Sequence, residues 1–262
     1  MLNKILKYPR TQHIEGSRCQ PGDEDLDSIP FSKIANRFIV VEEKVDGANS
    51  GISFSPEGEL LLQSRGHYLT GGGREKHFNL FKTWASSHTA ELWDVLKDRY
   101  IMYGEWLYAK HTVFYDLLPQ YFMEFDIFDK EENIFLSTER RKMMLKDHRF
   151  ITSVLVLFEG RLKSQKELVG TIGKSHFKSD DAKEKLIEMC LDKGLNAEQV
   201  LRETDPSNLM EGLYIKVEED GEVKERYKYV RASFLTTVTN SETHWLDRPI
   251  IPNLLKDGVD LF

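Results

Sequence analysis

Eight residues near the start of the chain, Glu42-Glu43-Lys44-Val45-Asp46-Gly47-Ala48-Asn49, put a lysine among carboxylates where an apolar run ends in a tight turn. An amine so placed is a candidate nucleophile for phosphorus. It must first lose its proton. A free lysine titrates at about 10.4, so a neighbouring cation, a metal or desolvation has to lower that value. Gly47 lets backbone come close to a ligand. Alone, a K-x-D-G run describes an ordinary hairpin turn with solvated charges.

The run does not stand alone. Ser64-Arg65 follows the next pair of strand-like segments, then Tyr103-Gly104-Glu105, Glu124-Phe125-Asp126-Ile127, Glu211-Gly212-Leu213-Tyr214-Ile215-Lys216 and Arg226-Tyr227-Lys228. Each has residue types that nucleotide transfer needs: a guanidinium fork for phosphate or ribose, a carboxylate for ribose hydroxyls, an aromatic face for a base, and a carboxylate for a hard cation. In order, spacing and strand context the series resembles the covalent nucleotidyltransferase superfamily of ligases and capping enzymes, from Lys44 to Arg231. Asn49 ends a K-x-[DH]-G-x-N pattern similar to that of the RNA ligase 2-like branch, where DNA ligases and capping enzymes usually carry arginine. The run Tyr8-Pro9-Arg10-Thr11-Gln12-His13 through Gly16-Ser17-Arg18 resembles bacterial RNA-ligase-domain proteins.

The resemblance implies that Lys44 forms a phosphoramidate with AMP taken from ATP. Arg65 and Glu105 then contact phosphate or ribose, and Phe125 stacks on adenine. Glu211 binds Mg²⁺ or Mn²⁺, with Asn49 assisting through water. Arg226 and Lys228, two apart on a strand and so on one face, hold the triphosphate as catalytic partners of Lys44. The branch commonly has lysine at both places, and arginine is not its equivalent. Glu43 and Lys216 are further candidates for base recognition and phosphate contact. Asp126, in an apolar strand, needs a basic partner. His111 and Tyr115 are candidates on the substrate side. The glycines 71–73, flanked by Arg65, His67, Arg74 and Lys76, read as a basic loop able to close on phosphates.

The expected activity is ATP-dependent sealing of RNA ends, 5′-phosphate to 3′-hydroxyl. An end-healing kinase or phosphatase is the candidate partner. The alternatives are a DNA ligase, a capping-type enzyme, a domain that binds nucleic acid without catalysis, and a protein that activates another molecule with AMP.

The elements that must position these residues follow from pattern. Arg37 to Glu43, Ser50 to Phe54 and Glu59 to Ser64 read as strands of an antiparallel meander. Glu75 to Arg99 has helical spacing with a break near Ser86 and Ser87, and strands return at Tyr100 to Leu107 and Tyr121 to Phe128. Ser137 can cap a helix over Thr138 to His148, while Ser164 with Glu167 and Asn196 with Gln199 have capping-box spacing. Asp220-Gly221 between Leu213–Val217 and Val223–Val230 is the strongest hairpin signal. The whole predicts an α+β fold, antiparallel β-sheets with flanking helices around a nucleotide-binding cleft, of the nucleotidyltransferase/ATP-grasp-like kind.

Composition sets the bounds. The 262 residues are 40% hydrophobic and 30% charged, the balance of a folded domain. One nucleotidyltransferase domain over 1–262 is expected. About thirty residues follow Arg231, a short C-terminal extension too small for an OB-fold domain. A net charge of −7 argues against coating nucleic acid by bulk attraction and leaves local basic clusters, at Arg65–Lys76, Arg140–Arg149 and Lys216–Arg231, to make such contacts. Two cysteines, Cys19 and Cys190, are too few for a disulfide framework or a cysteine-built zinc site. The opening Met1 to Arg10 lacks the apolar run of a secretory signal, and no stretch reaches the ~18 apolar residues of a membrane span. A cytoplasmic, non-membrane protein is the expectation.

Overall fold

The computed structural model describes residues 5–18, 28–240 and 248–262; Cys19 and the side chain of Arg74 lie outside what it describes. In chain order the strands are β1 (Gln12–Ile14), β2 (Ser28–Ile29), β3 (Ile39–Lys44), β4 (Ala48–Phe54), β5 (Leu60–Ser64) and β6 (Tyr100–Trp106). They continue with β7 (Phe122–Asp129), β8 (Ile134–Phe135), β9 (Thr152–Ser153), β10 (Val156–Gly160), β11 (Gly212–Glu219) and β12 (Glu222–Val230). The helices are α1 (Asn79–Ser87), α2 (Thr89–Leu96), α3 (Thr138–Leu145), α4 (Gln165–Val169), α5 (Ala182–Asp192), α6 (Ala197–Arg202) and α7 (Ala232–Asn240).

These strands form two sheets, in the orders β10-β3-β11-β12-β1-β2 and β5-β4-β6-β7-β8. Pairing is antiparallel except where β1 joins β12 and β2, and where β9 joins β7. The α+β architecture is the one the pattern predicts, but the expected meander is not. β3 lies in the first sheet between β10 and β11, whereas β4 and β5 pair with each other in the second. Strand periodicity cannot tell which sheet a strand joins, and the three-residue turn after Lys44 is where the chain passes from one sheet to the other.

Side-chain alternation divides each sheet into two faces. Ile39 and Val41 of β3 pack with Leu213, Ile215, Val217 and Tyr227 in one apolar cluster, which leaves Glu42 and Lys44 on the opposite face. In the second sheet Ile52, Phe54, Met102, Trp106 and Phe122 pack with Phe81, Trp84 and Leu92 of the two amphipathic helices. The other face of β6 carries Tyr103 and Glu105. Polar and aromatic residues are therefore left where the two sheets meet.

Local signals behave as their chemistry requires. Asp220 and Gly221 both take positive φ, 53° and 79°, the pair of values a two-residue hairpin turn demands. Ser137, Ser164 and Asn196 accept from the backbone N–H three residues on. α1 and α2 break at His88. α3 stops at Leu145, short of His148, whose N–H bonds back to the Leu145 carbonyl in a closing turn. Among the described residues no helix is long and apolar enough to cross a membrane.

Candidate active site

Lys44 ends β3 opposite Gly212 of β11. Its ammonium lies 2.7 Å from Glu211, whose side chain is almost completely buried, while Lys44 itself keeps 23% of its side-chain surface exposed. Burial alone would lower the lysine's proton affinity, but Glu211, Glu105 and Asp46 outweigh it and hold the amine protonated above its ordinary value. The same crowding works in reverse on the carboxyls. Burial, together with the neighbouring carboxylates, lifts Glu105 to about 8 and Glu211 to about 7 against the partial relief of Lys44. Lys228 adds a weaker positive contribution at Glu211.

The turn after Lys44 is pinned from outside. Asp46 accepts the backbone N–H groups of Thr112 and Val113 at 2.7 and 2.8 Å, and its own N–H donates to the Tyr115 hydroxyl at 2.8 Å. Gly47 donates to Glu105 at 3.2 Å. A Cβ at this glycine would come within 2.7 Å of Leu107 and of the Trp106 carbonyl, and within 2.9 Å of the Glu105 side chain. The turn must thus be bare to sit against β6. Asn49 is half-buried and directly opposite Glu105.

Three carboxyl groups crowd around one lysine, and the raised proton affinity of Glu105 and Glu211 marks a place where a further positive charge, such as a hard divalent cation, would be favoured. Among the described residues no three His, Cys, Asp or Glu side chains form a ready-made cage. A cation at Glu211 would complete its shell with water and phosphate oxygens, the usual habit of Mg²⁺.

Beyond Lys44 the space between the sheets holds a buried ionic network. Arg141 of α3 donates to Glu124 at 2.6 Å and to Glu42 at 2.8 Å, and Lys216 contacts Glu42 at 2.9 Å, Asp126 at 3.1 Å and the Phe125 carbonyl. Against the cost of burial, the cations hold Asp126 below its ordinary range. Beside the network stands an aromatic cluster of Tyr8, Tyr103, Phe125, Phe128, Phe135 and Tyr214.

A family model described as RNA ligase matches residues 37–230, nearly the span over which these strands and motifs run. The chain belongs to the RNA ligase family. No curated protein matches it. Among solved structures it is similar to a variant of the Naegleria gruberi RNA ligase with ATP and Mn, at 14% identity and a TM-score of 0.55 over 90% of this chain and 59% of the other. The Naegleria gruberi RNA ligase with PPi gives 17% and 0.54 over 90% and 58%, and an apo variant 15% and 0.57 with the same coverage. At such identities the likeness is one of fold. The chain spans under three-fifths of the length of the Naegleria protein.

In this RNA ligase family member, Lys44, Glu211 and Glu105 stand together at the end of β3, Lys228 is near enough to act on Glu211, and Asn49 lies opposite Glu105. Lys216 does not join them. It is completely buried among Glu42, Asp126 and the Phe125 carbonyl, so its expected phosphate contact is replaced by a structural ion pair. Arg226 shares the strand face of Lys228 but lies deeper, 3.6 Å from Asp126 and over the Phe135 ring at 4.0 Å. Glu43 faces away, holding Ser175 at 2.6 Å and His176 at 3.0 Å. Arg65 is exposed in the loop after β5. His111 and Tyr115 are buried against Asp46 instead of facing a substrate. Pattern reading missed Glu42, Arg141 and Tyr8. The rule that led to a partner for Asp126 applies equally to Glu42 in its apolar strand, whereas nothing local announces Tyr8.

Proposed function

We propose that this protein is an ATP-dependent RNA ligase that works through a lysyl-AMP intermediate on Lys44, of the RNA ligase 2-like branch. The observation that carries it is the placement of the Lys44 amine, partly open to solvent, against Glu211 and beside Glu105 at the end of β3. The neutral amine attacks the α-phosphorus of ATP, forming an N–P bond as the P–O bond to pyrophosphate breaks. AMP then passes to an RNA 5′-phosphate, and a 3′-hydroxyl displaces AMP to seal the strand. Neighbours with ATP, Mn and PPi support the choice of nucleotide, metal and leaving group.

In this reading Glu105 orients the ribose, Phe125 receives adenine, and Lys228, with Arg226 behind it, steadies the phosphates. A divalent cation at Glu211, assisted by Asn49, would offset phosphate charge and weaken the hold of that carboxylate on the lysine proton. We read residues 1–262 as one nucleotidyltransferase domain acting in the cytoplasm on RNA ends, alongside enzymes that restore 5′-phosphates and 3′-hydroxyls.

Incubation with α-labelled ATP and Mn²⁺ tests this. Acid-stable label on wild type that disappears in Lys44→Ala is expected, followed by AMP transfer to 5′-phosphorylated RNA in preference to DNA. A wild-type chain that takes no label overturns the reading, and label without sealing of any RNA points to AMP activation of another substrate.

A further inference from the structure

The segment from Ile5 to Thr11 belongs to neither sheet, yet it touches both. On one side the Leu6 carbonyl accepts from the Tyr103 hydroxyl at 2.8 Å and from Gln63 at 3.0 Å, both in the second sheet. On the other, Thr11 lies 3.0 Å from the Tyr214 hydroxyl, and the chain then continues as β1 along β12 of the first sheet. Between these anchors Tyr8 turns inward and is only 7% exposed. Its ring meets Phe125 edge-on at 5.0 Å and packs on Tyr103 at 5.1 Å. Its hydroxyl donates to Asp126 and is 2.5 Å from that of Tyr214.

Phe125 and Tyr214 approach each other from opposite sheets and remain partly exposed, with centroids 6.1 Å apart and planes inclined by 38°. Tyr214 is paired with Glu42 and is therefore one pleat, about 7 Å, along the same sheet face from Lys44. A flat base inserted between two rings needs them nearly parallel and about 7 Å apart, two van der Waals contacts of ~3.5 Å. The present rings are closer and tilted. Tyr8 touches both rings, one through its ring edge and the other through its hydroxyl, whereas Lys216 meets the backbone of Phe125 and the ring of Tyr214.

We propose that Tyr8 is a positioning residue for the nucleotide base, setting the separation and tilt of the Phe125 and Tyr214 walls from a strap that precedes both sheets. The proposal rests on the ligase reading above. Tyr8→Phe keeps the ring and removes the hydroxyl. It is expected to raise the KM for ATP in Lys44 charging by roughly three- to tenfold, the range of a lost hydrogen bond, with the saturating rate nearly unchanged. Tyr214→Phe should also raise it, and the double variant should fall clearly short of the product of the two singles because both lose the Tyr8–Tyr214 contact.

A purely structural role predicts a lower melting temperature with KM untouched, and that result overturns the proposal. So does a double variant whose effect is the full product of the two singles. Charging by wild type with an unaltered KM in Tyr8→Phe strikes this proposal alone, whereas absence of charging in wild type removes the ligase reading as well.

Discussion

Lys44 is held in the wrong protonation state for the attack proposed for it, and its neighbours say how that is managed. Glu105 and Glu211 keep protons in the folded chain well above the ordinary 4.5 of a glutamate. The unfolded chain has released those protons by neutral pH. Stability from these two groups is therefore present at low pH and lost as pH rises through about 7 and about 8. His111, held down to about 4 by burial, contributes in the opposite sense below about 6.5, and Lys110, lowered to about 8 by burial, does so above about 8. Between pH 6.5 and 8 the melting temperature of the metal-free protein should consequently fall. Adding Mn²⁺ should reduce the fall, and Glu105→Gln should flatten it. A flat wild-type profile in thermal melts would show that the two carboxyls do not share the charge inferred for them. At this scale the grouping of Lys44 with Glu105 and Glu211 was legible because their motifs stand at strand ends. Lys216 was misread because the depth of a side chain depends on what the opposite sheet brings to it.

Secondary elements that carry the site are themselves held by residues far away in the chain. The loop that supplies Thr112, Val113 and Tyr115 to Asp46 is bound by Asn253, which is fully buried. Its side chain accepts from the Tyr115 N–H at 2.9 Å and donates to the Leu107 carbonyl at 2.7 Å. The residues after Arg231, expected as a short extension, thus include a clamp on the loop that pins the turn after Lys44. Asn253→Ala would leave two buried backbone groups unpaired, and about 2–4 kcal/mol of destabilisation is expected in urea unfolding. The rate of Lys44 charging should drop with it, since Tyr115 loses its anchor. The Asp220-Gly221 hairpin was readable because its turn chemistry is local, and Gly221→Val should cost about 1–2 kcal/mol at that positive φ. The parallel pairing of β1 with β12 was not readable. It joins residues more than two hundred positions apart, and three residues carry too little pattern to declare a partner.

Over the whole molecule, the two sheets are joined by buried charge as well as by apolar contact. Arg141 reaches from α3 to Glu42 in one sheet and Glu124 in the other. Replacing it with methionine would leave Glu42 to Lys216 alone and Glu124 to the Ser153 hydroxyl, and a loss of about 3–5 kcal/mol is expected by denaturant titration. Simultaneous replacement of Arg141, Glu42 and Glu124 by apolar residues should recover much of that loss. If the single change proves neutral, the network carries none of the coupling between sheets. Fold class was legible from alternation and turn residues together, because those patterns determine which faces must be covered. How the covered faces are joined was not, because a buried ion pair has no periodicity.

The turn between Lys44 and Ala48 has a mechanical consequence. Like the spine of a book, it is shared by both leaves, so movement that spreads the leaves displaces their outer edges far more than the spine. Spreading of the leaves would therefore leave the amine within reach of Glu211. Amide hydrogen exchange along β3 should accordingly remain slow with and without added ATP and Mn²⁺, even as the Ile5–Thr11 segment exchanges faster whenever the leaves part.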